Sequence, residues 1–161
     1  MTAPVFPFAG LLIAHDAAAA DATRLAELAR TLADAGASPV VIAAAPDVAV
    51  PLGARVVRTR APGAAIAAVR LGMAQLTNTV ARAVLLVPFR AERVSLVTLL
   101  ALLDVGKRTE GAIVGLGGTA LDRSPLLVPR DAWLELVTLG EEGLEAVVKQ
   151  RTLVRVGIAT S

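Results

Sequence analysis

Short, uncharged apolar runs recur along this chain, and between most of them lie segments whose apolar residues fall at helical spacing. Ala9-Gly10-Leu11-Leu12-Ile13-Ala14, Val40-Val41-Ile42-Ala43 and Val84-Leu85-Leu86-Val87 are the clearest runs. Ala112–Val114, Leu126–Val128 and Leu153–Val156 are shorter ones, and Arg55–Arg58 carries a further short strand. Such runs do not alternate apolar with polar residues, so they read as strands buried on both faces. The segments between them read as helices. Leu25, Leu28 and Leu32 lie one turn apart, with Asp21 as N-cap and Gly36 as the stop; if Ala17–Ala20 extend this helix backwards, Asp16 becomes its cap. Ile66, Val69, Met73 and Leu76 mark the next. Ser95 caps a helix over Leu96–Val105 that Gly106 closes, Asp131 caps one over Trp133–Val137, and a short helix covers Leu144–Val148. Strand and helix alternate almost throughout. That order predicts a three-layer, Rossmann-like α/β fold with a mostly parallel, doubly wound sheet between helices.

The 161 residues show no internal repeat and no long linker, so one domain over 1–161 is expected. Hydrophobic residues make up 55% and aromatics only 2%, so the core must be built from Ala, Val and Leu. There is no cysteine and one histidine, which excludes disulfides, thiolate metal sites and multi-histidine metal sites. Basic residues are scattered, nearly all are arginine, and the net charge is only +2. With so few aromatics to stack on bases, nucleic acid is not an expected partner. No run reaches the ~18 apolar residues of a membrane span. The N-terminal stretch has no basic region and is interrupted by Pro4 and Pro7, so it reads as a lead-in to the first strand. A cytoplasmic protein without a membrane partner is expected.

Several phrases, in order, resemble the MobA-like NTP transferase family, which includes the guanylyl- and cytidylyltransferases of molybdenum-cofactor maturation. "AGLLIA" at 9–14 is similar to the family's opening strand, and "LAELARTLADAGASPVVIAAA" to its first helix and second strand. "AVLLVP" at 83–88 resembles the strand that ends at the metal-binding aspartate. "SPLLVPRDAW" at 124–133 resembles "GHP-x-L-F-x-R-x-x-W", and "LGEEGLEAVVKQR" at 139–151 resembles "G-D-x-G-A-R-x-L-L". The resemblance covers most of the chain and implies a nucleotide-diphospho-sugar-transferase-like fold.

The departures bear on chemistry. The family's first strand runs into a glycine-rich loop, L-A-A-G-x-S-x-R-M-G-x-x-K, that cradles a triphosphate. Here His15-Asp16 and an alanine run follow instead, with no glycine between Gly10 and Gly36 and no lysine before Lys107. The position of the Mg²⁺-holding aspartate falls on Arg90, which cannot ligate a cation; Glu92 lies two residues on. The family's G-M-x-x-S-L-x-x-G helix becomes Gly63 to Gly72 with one extra residue, its serine falling on Ala68, while Arg70 and Gly72 survive. The histidine of G-H-P is Ser124. Loop, lysine and metal aspartate are lost together, and these are the groups that neutralise a transferring phosphate.

The expectation is therefore a catalytically degenerate member that serves as a binding or assembly module, with no catalytic residue, no metal site and no resident cofactor. A nucleotide, CTP or GTP, is the one small ligand the resemblance implies. A divergent active transferase and a Mg²⁺-independent anion sensor are the competing readings. Arginines at strand ends, Arg58, Arg60, Arg90, Arg93 and Arg123, together with Arg70, are the candidate anion-binding set; the alternative is that they are solvated or paired with neighbours such as Glu92 and Asp122. His15-Asp16 invites a catalytic reading, set against Asp16 as a helix cap. The helix over Leu96–Leu103 is apolar nearly all round. It is either buried beneath a neighbour or a subunit interface through Leu96, Leu99, Leu100 and Leu103. A protein partner or a second copy of the chain follows from the interface reading; the resemblance alone implies that such a partner is a protein of the molybdenum-cofactor pathway or a molybdoenzyme.

Overall fold

A computed structural model of the chain describes residues 6–51, 53–60, 65–91, 94–109, 111–118, 123–138, 140, 143–149 and 151–157. Seven strands form one sheet: β1 Phe8–Ala14, β2 Val40–Ala44, β3 Arg55–Arg58, β4 Ala83–Pro88, β5 Ile113–Leu116, β6 Leu126–Pro129 and β7 Leu153–Val156. Among the described residues five α-helices accompany them: α1 Ala22–Asp34, α2 Ala65–Ala74, α3 Leu96–Arg108, α4 Trp133–Val137 and α5 Leu144–Lys149. The strand order is β3-β2-β1-β4-β6-β5-β7. All pairings are parallel except those of β6, which runs antiparallel to both β4 and β5. The α/β architecture expected from the alternation is the one observed. The reversed β6 departs from simple βαβ repetition. Only Gly117 to Pro125 separate β5 from β6, fewer than the dozen or so residues a parallel crossover needs.

Every residue of β1 is buried, and its side chains alternate between two cores. Phe8, Leu12 and Ala14 join α1 and α3 on one face; Ala9, Leu11 and Ile13 join α2, α4 and α5 on the other. The period-2 geometry of a strand makes this split. β4 repeats it, with Leu85 and Val87 on the first face and Val84 and Leu86 on the second. Each helix contributes one apolar stripe: Leu25, Leu28, Ala29 and Leu32 from α1, and Ala68, Val69 and Met73 from α2. Burying one such Leu is worth about 1.5–3 kcal/mol, so the double-sided sheet carries most of the stability.

Helix ends follow local chemistry. α1 stops at Asp34 because Gly36 takes φ +106°, a conformation that glycine adopts freely. Ser95 caps α3 by accepting from the Thr98 amide at 3.2 Å. α3 does not end at Gly106. It runs on to Arg108, and Gly106 lies inside it, seated against Leu127 of β6. Asp16 does not cap α1 either: a 3₁₀ turn, Ala19–Asp21, precedes that helix, and the Asp21 carboxylate accepts from the Ala18 amide at 2.8 Å. Asp131 sits within a 3₁₀ turn, Arg130–Ala132, with no side-chain cap bond, and is drawn instead to Arg151 at 3.3 Å. No helix among the described residues is long and apolar enough to cross a membrane.

Candidate functional site

The chain goes from β1 to β2 to β3 on one side of the sheet, then returns to lay β4 on the other side of β1. Ligands in such sheets bind where the order reverses, outside the carboxyl ends of the strands. Here that place lies between the ends of β1 and β4. β1 delivers His15 and Asp16 to it, and β4 delivers Phe89, Arg90 and Ala91. Because β6 is reversed, Leu126 at its start lies beside Leu86 near the end of β4. Arg123, just before β6, therefore reaches the same end of the sheet. β3 brings Arg58 and Arg60 there too, two strands beyond β1, or roughly 10 Å at the usual strand spacing.

Topology thus gathers four of the six candidate arginines at one end, but half of these are spent on the protein itself. The Arg90 Nε bonds the Asp16 carboxylate at 2.6 Å, so an ion pair bridges the switch point from β1 to β4. The Arg58 Nη1 donates to the carbonyls of Ala45 and Val48, at 2.8 and 2.7 Å, and holds the loop after β2. Arg60 and Arg123 are exposed and have no ion-pair partner among the described residues. Arg70 is exposed midway along α2. Arg93, Glu92 and Asp122 lie outside the described residues. His15 is half-buried, and its Nδ1 has no hydrogen-bond partner among the described residues. The sequence neighbours of the paired residues, Ala17, Phe89 and Ala91, are buried in the first core. Ser124, at the position of the family histidine, is buried and donates to the Pro125 carbonyl. Among the described residues no three His, Cys, Asp or Glu side chains come together in a way that could hold a metal ion.

The four interface candidates divide. Leu99 and Leu103 are buried in the chain's own core, because α3 turns them onto the sheet, so the interface reading does not hold for them. Leu96 and Leu100 are exposed, and Val97 between them is more exposed still, at 73%.

Sequence reading missed two arginine clamps. Arg130 donates to the carbonyls of Thr77, Thr79 and Ala81, and its guanidinium lies 4.4 Å above the Trp133 ring. The R-x-x-W phrase was visible, and the i, i+3 spacing is what stacks the two side chains. Arg151 grips Glu135 with two bonds, at 2.9 and 3.0 Å, and reaches Asp131, tying the start of β7 to α4. The Glu135 carboxyl is held below its ordinary value, chiefly by that hydrogen bond; burial, next in size, opposes the shift, and the Arg151 charge adds to it.

The backbone as a whole has clear counterparts. Rv0371c from Mycobacterium tuberculosis H37Rv, in complex with manganese, matches with TM-score 0.70 and 18% identity over 96% of this chain and 90% of that one. A nucleotidyl transferase from Methanothermobacter matches with TM-score 0.65 and 15% identity, covering 96% and 88%. The 2-C-methyl-D-erythritol 4-phosphate cytidylyltransferase of Thermus thermophilus matches with TM-score 0.63 and 16% identity, covering 94% and 89%. This is the nucleotidyltransferase fold. No family model matches the sequence, and no curated protein matches it. The likeness is one of architecture, and within that nucleotidyltransferase fold the Arg90–Asp16 pair marks the place where strand order reverses.

Proposed function

We propose that this chain is a degenerate, MobA-like member of the nucleotidyltransferase-fold proteins, retained as a binding or assembly module rather than a transferase. The observation that carries the reading is the Arg90–Asp16 ion pair across the switch point. A triphosphate entering between β1 and β4 would meet the Asp16 carboxylate, and it would have to compete with that carboxylate for Arg90. The Arg58 charge is tied to Ala45 and Val48. What favours transfer elsewhere, a metal ion, loop amides and a lysine, has no counterpart in the β1–α1 connection of this sequence. The exposed Leu96, Val97 and Leu100 of α3 are where we expect a partner, either a protein of molybdenum-cofactor maturation or a second copy of the chain.

The test is calorimetric titration of the purified chain with CTP and with GTP, each with and without Mg²⁺, and with Mn²⁺ in place of Mg²⁺. The module reading expects no metal-dependent binding. Micromolar binding of one nucleotide that requires the divalent ion, followed by transfer to a molybdopterin-type acceptor, would overturn it. Exposed Arg60 and Arg123 at the same end support one alternative, a sensor of nucleotide or other anion. Its mark would be binding that is indifferent to the metal and weakened by Arg123→Ala.

A further inference from the structure

At the opposite end of the sheet, beneath the last turn of α3, lies an open cavity of about 670 Å³. This is within the usual range of small-molecule sites. It is separated from the switch point by the length of β4, roughly 20 Å at ~3.3 Å per residue. Its apolar lining comes from Phe6, Leu127 and Pro129, and its cationic lining from Arg82, Lys107 and Arg130. Gly106 explains how the space arises. With no side chain there, α3 leans directly onto Leu127 of β6 and then runs past the strand, so that Lys107 overhangs the cavity.

Among the described residues of the lining the charge is one-sided. Their one carboxylate, Asp131, is already drawn toward Arg151 at 3.3 Å. Arg82 and Lys107 have no carboxylate partner among the described residues. Arg130 is immobilised by its three carbonyl bonds and by stacking on Trp133, so it enters any complex with its geometry already set. Lys107 also sits in the last turn of α3, where a cation complements the helix dipole, but that accounts for neither Arg82 nor the apolar residues beside them.

We infer that this cavity is a second ligand site, for a phosphate-bearing small molecule with an apolar body: the phosphate dianion pairs with Arg82 and Lys107, the carbonyl-bound Arg130 adds its fixed charge, and the body lies on Phe6, Leu127 and Pro129. A dianion matches a cluster of cations better than a carboxylate does, and arginine holds phosphate oxygens through its forked donors. The site is independent of the nucleotide question at the switch point.

Trp133 is the chain's single tryptophan and lies under Arg130, so its fluorescence reports on this site. The experiment titrates the full chain with phenyl phosphate and with inorganic phosphate at constant ionic strength, which separates site binding from screening. Phenyl phosphate is expected to change the emission saturably, with an affinity above that of inorganic phosphate. The double variant Arg82→Gln/Lys107→Gln removes two exposed charges without touching the Arg130 clamp, and should weaken binding at least about tenfold. Arg90→Gln, at the far end of the sheet, should leave it unchanged. The inference is overturned by the absence of a saturable change, by equal binding in the double variant, or by loss of binding in Arg90→Gln. Equal affinity for the two phosphates would remove the apolar body from it.

Discussion

Gly72 offers a quantitative test of why helix α2 carries a glycine there. In the family resemblance Gly72 falls on the last glycine of a nucleotide-facing helix. In the structure it faces the sheet, and a Cβ added there would lie 2.3 Å from Leu11 Cδ1, 2.8 Å from Cδ2 and 3.1 Å from Cγ. Three atoms of one side chain are hit, including its branch point, so a turn of one methyl does not relieve the contact. Leu11 is fully buried in the central strand, with Ala9, Ile13, Val41 and Leu86 in the same core. Overpacking of this kind costs about 1–3 kcal/mol. Alanine recovers up to ~1 kcal/mol of helix propensity. Gly72→Ala should therefore destabilise by about 1–2 kcal/mol, or roughly 2–8 °C in Tm for a domain of this size. Gly106→Ala is the matched control. Its Cβ would also come within 2.3 Å of a leucine, but only of Leu127 Cδ2, with the next atom at 3.7 Å. Gly106→Ala should therefore cost less than Gly72→Ala, because a single terminal methyl has to shift and helix propensity returns up to ~1 kcal/mol. Thermal unfolding followed by circular dichroism measures both. A Gly72→Ala protein as stable as the parent, or a Gly106→Ala protein less stable than Gly72→Ala, would refute the packing argument.

Other consequences can be checked in the same way. Arg130→Ala removes three carbonyl bonds and the stack on Trp133; urea unfolding should show a loss of about 2–3 kcal/mol, with Arg130→Lys restoring only part of it. Glu135 has its folded pKa lowered by Arg151, so its contribution to stability is full above the ordinary value of 4.5 and drains away as pH falls through the lowered value. The stability gap between the parent and Glu135→Gln should accordingly close on acidification; a gap that stays constant down to acid pH would mean that the bond contributes nothing through ionisation. Leu100→Asp should leave the fold intact because Leu100 is exposed, whereas Leu99→Asp should unfold the chain because Leu99 is fully buried. Light scattering of Leu100→Asp then reads the partner surface directly: if the parent is an oligomer through α3, this variant is a monomer.

Much of the architecture was legible, because burial on both faces of a sheet leaves a plain mark in sequence. The runs at Leu11, Val41 and Leu85 are uniformly apolar and became β1, β2 and β4. Gly36 and Ser95 marked their helix ends because a positive φ and an orphan amide each favour particular residues. Gly106 misled because glycine has two uses. It stops helices, and it also lets them approach a strand; only the position of Leu127 decides between the two. The reversal of β6 leaves its mark in the short connection after Gly117, which is too short for a parallel crossover.

The candidate site was less legible, and the reason lies in what satisfies an arginine. Sequence places a guanidinium at the end of a strand but gives no sign of its acceptor. Asp16 and Arg90 are 74 residues apart, and only the parallel pairing of β1 with β4 brings them together. Arg58 and Arg130 are held by backbone carbonyls, which every residue carries and no motif announces. Counting arginines therefore overstated the charge free at the switch point and overlooked the charge at the other end of the sheet. There Arg82 and Lys107 come from separate elements and meet only because α3 overruns β6. For this chain the informative quantity is how many cations remain without a carboxylate or carbonyl once the sheet has formed. By that measure, among the described residues, the two ends are equal, Arg60 and Arg123 at one and Arg82 and Lys107 at the other; what sets the cavity beneath α3 apart is that its two free cations line one space.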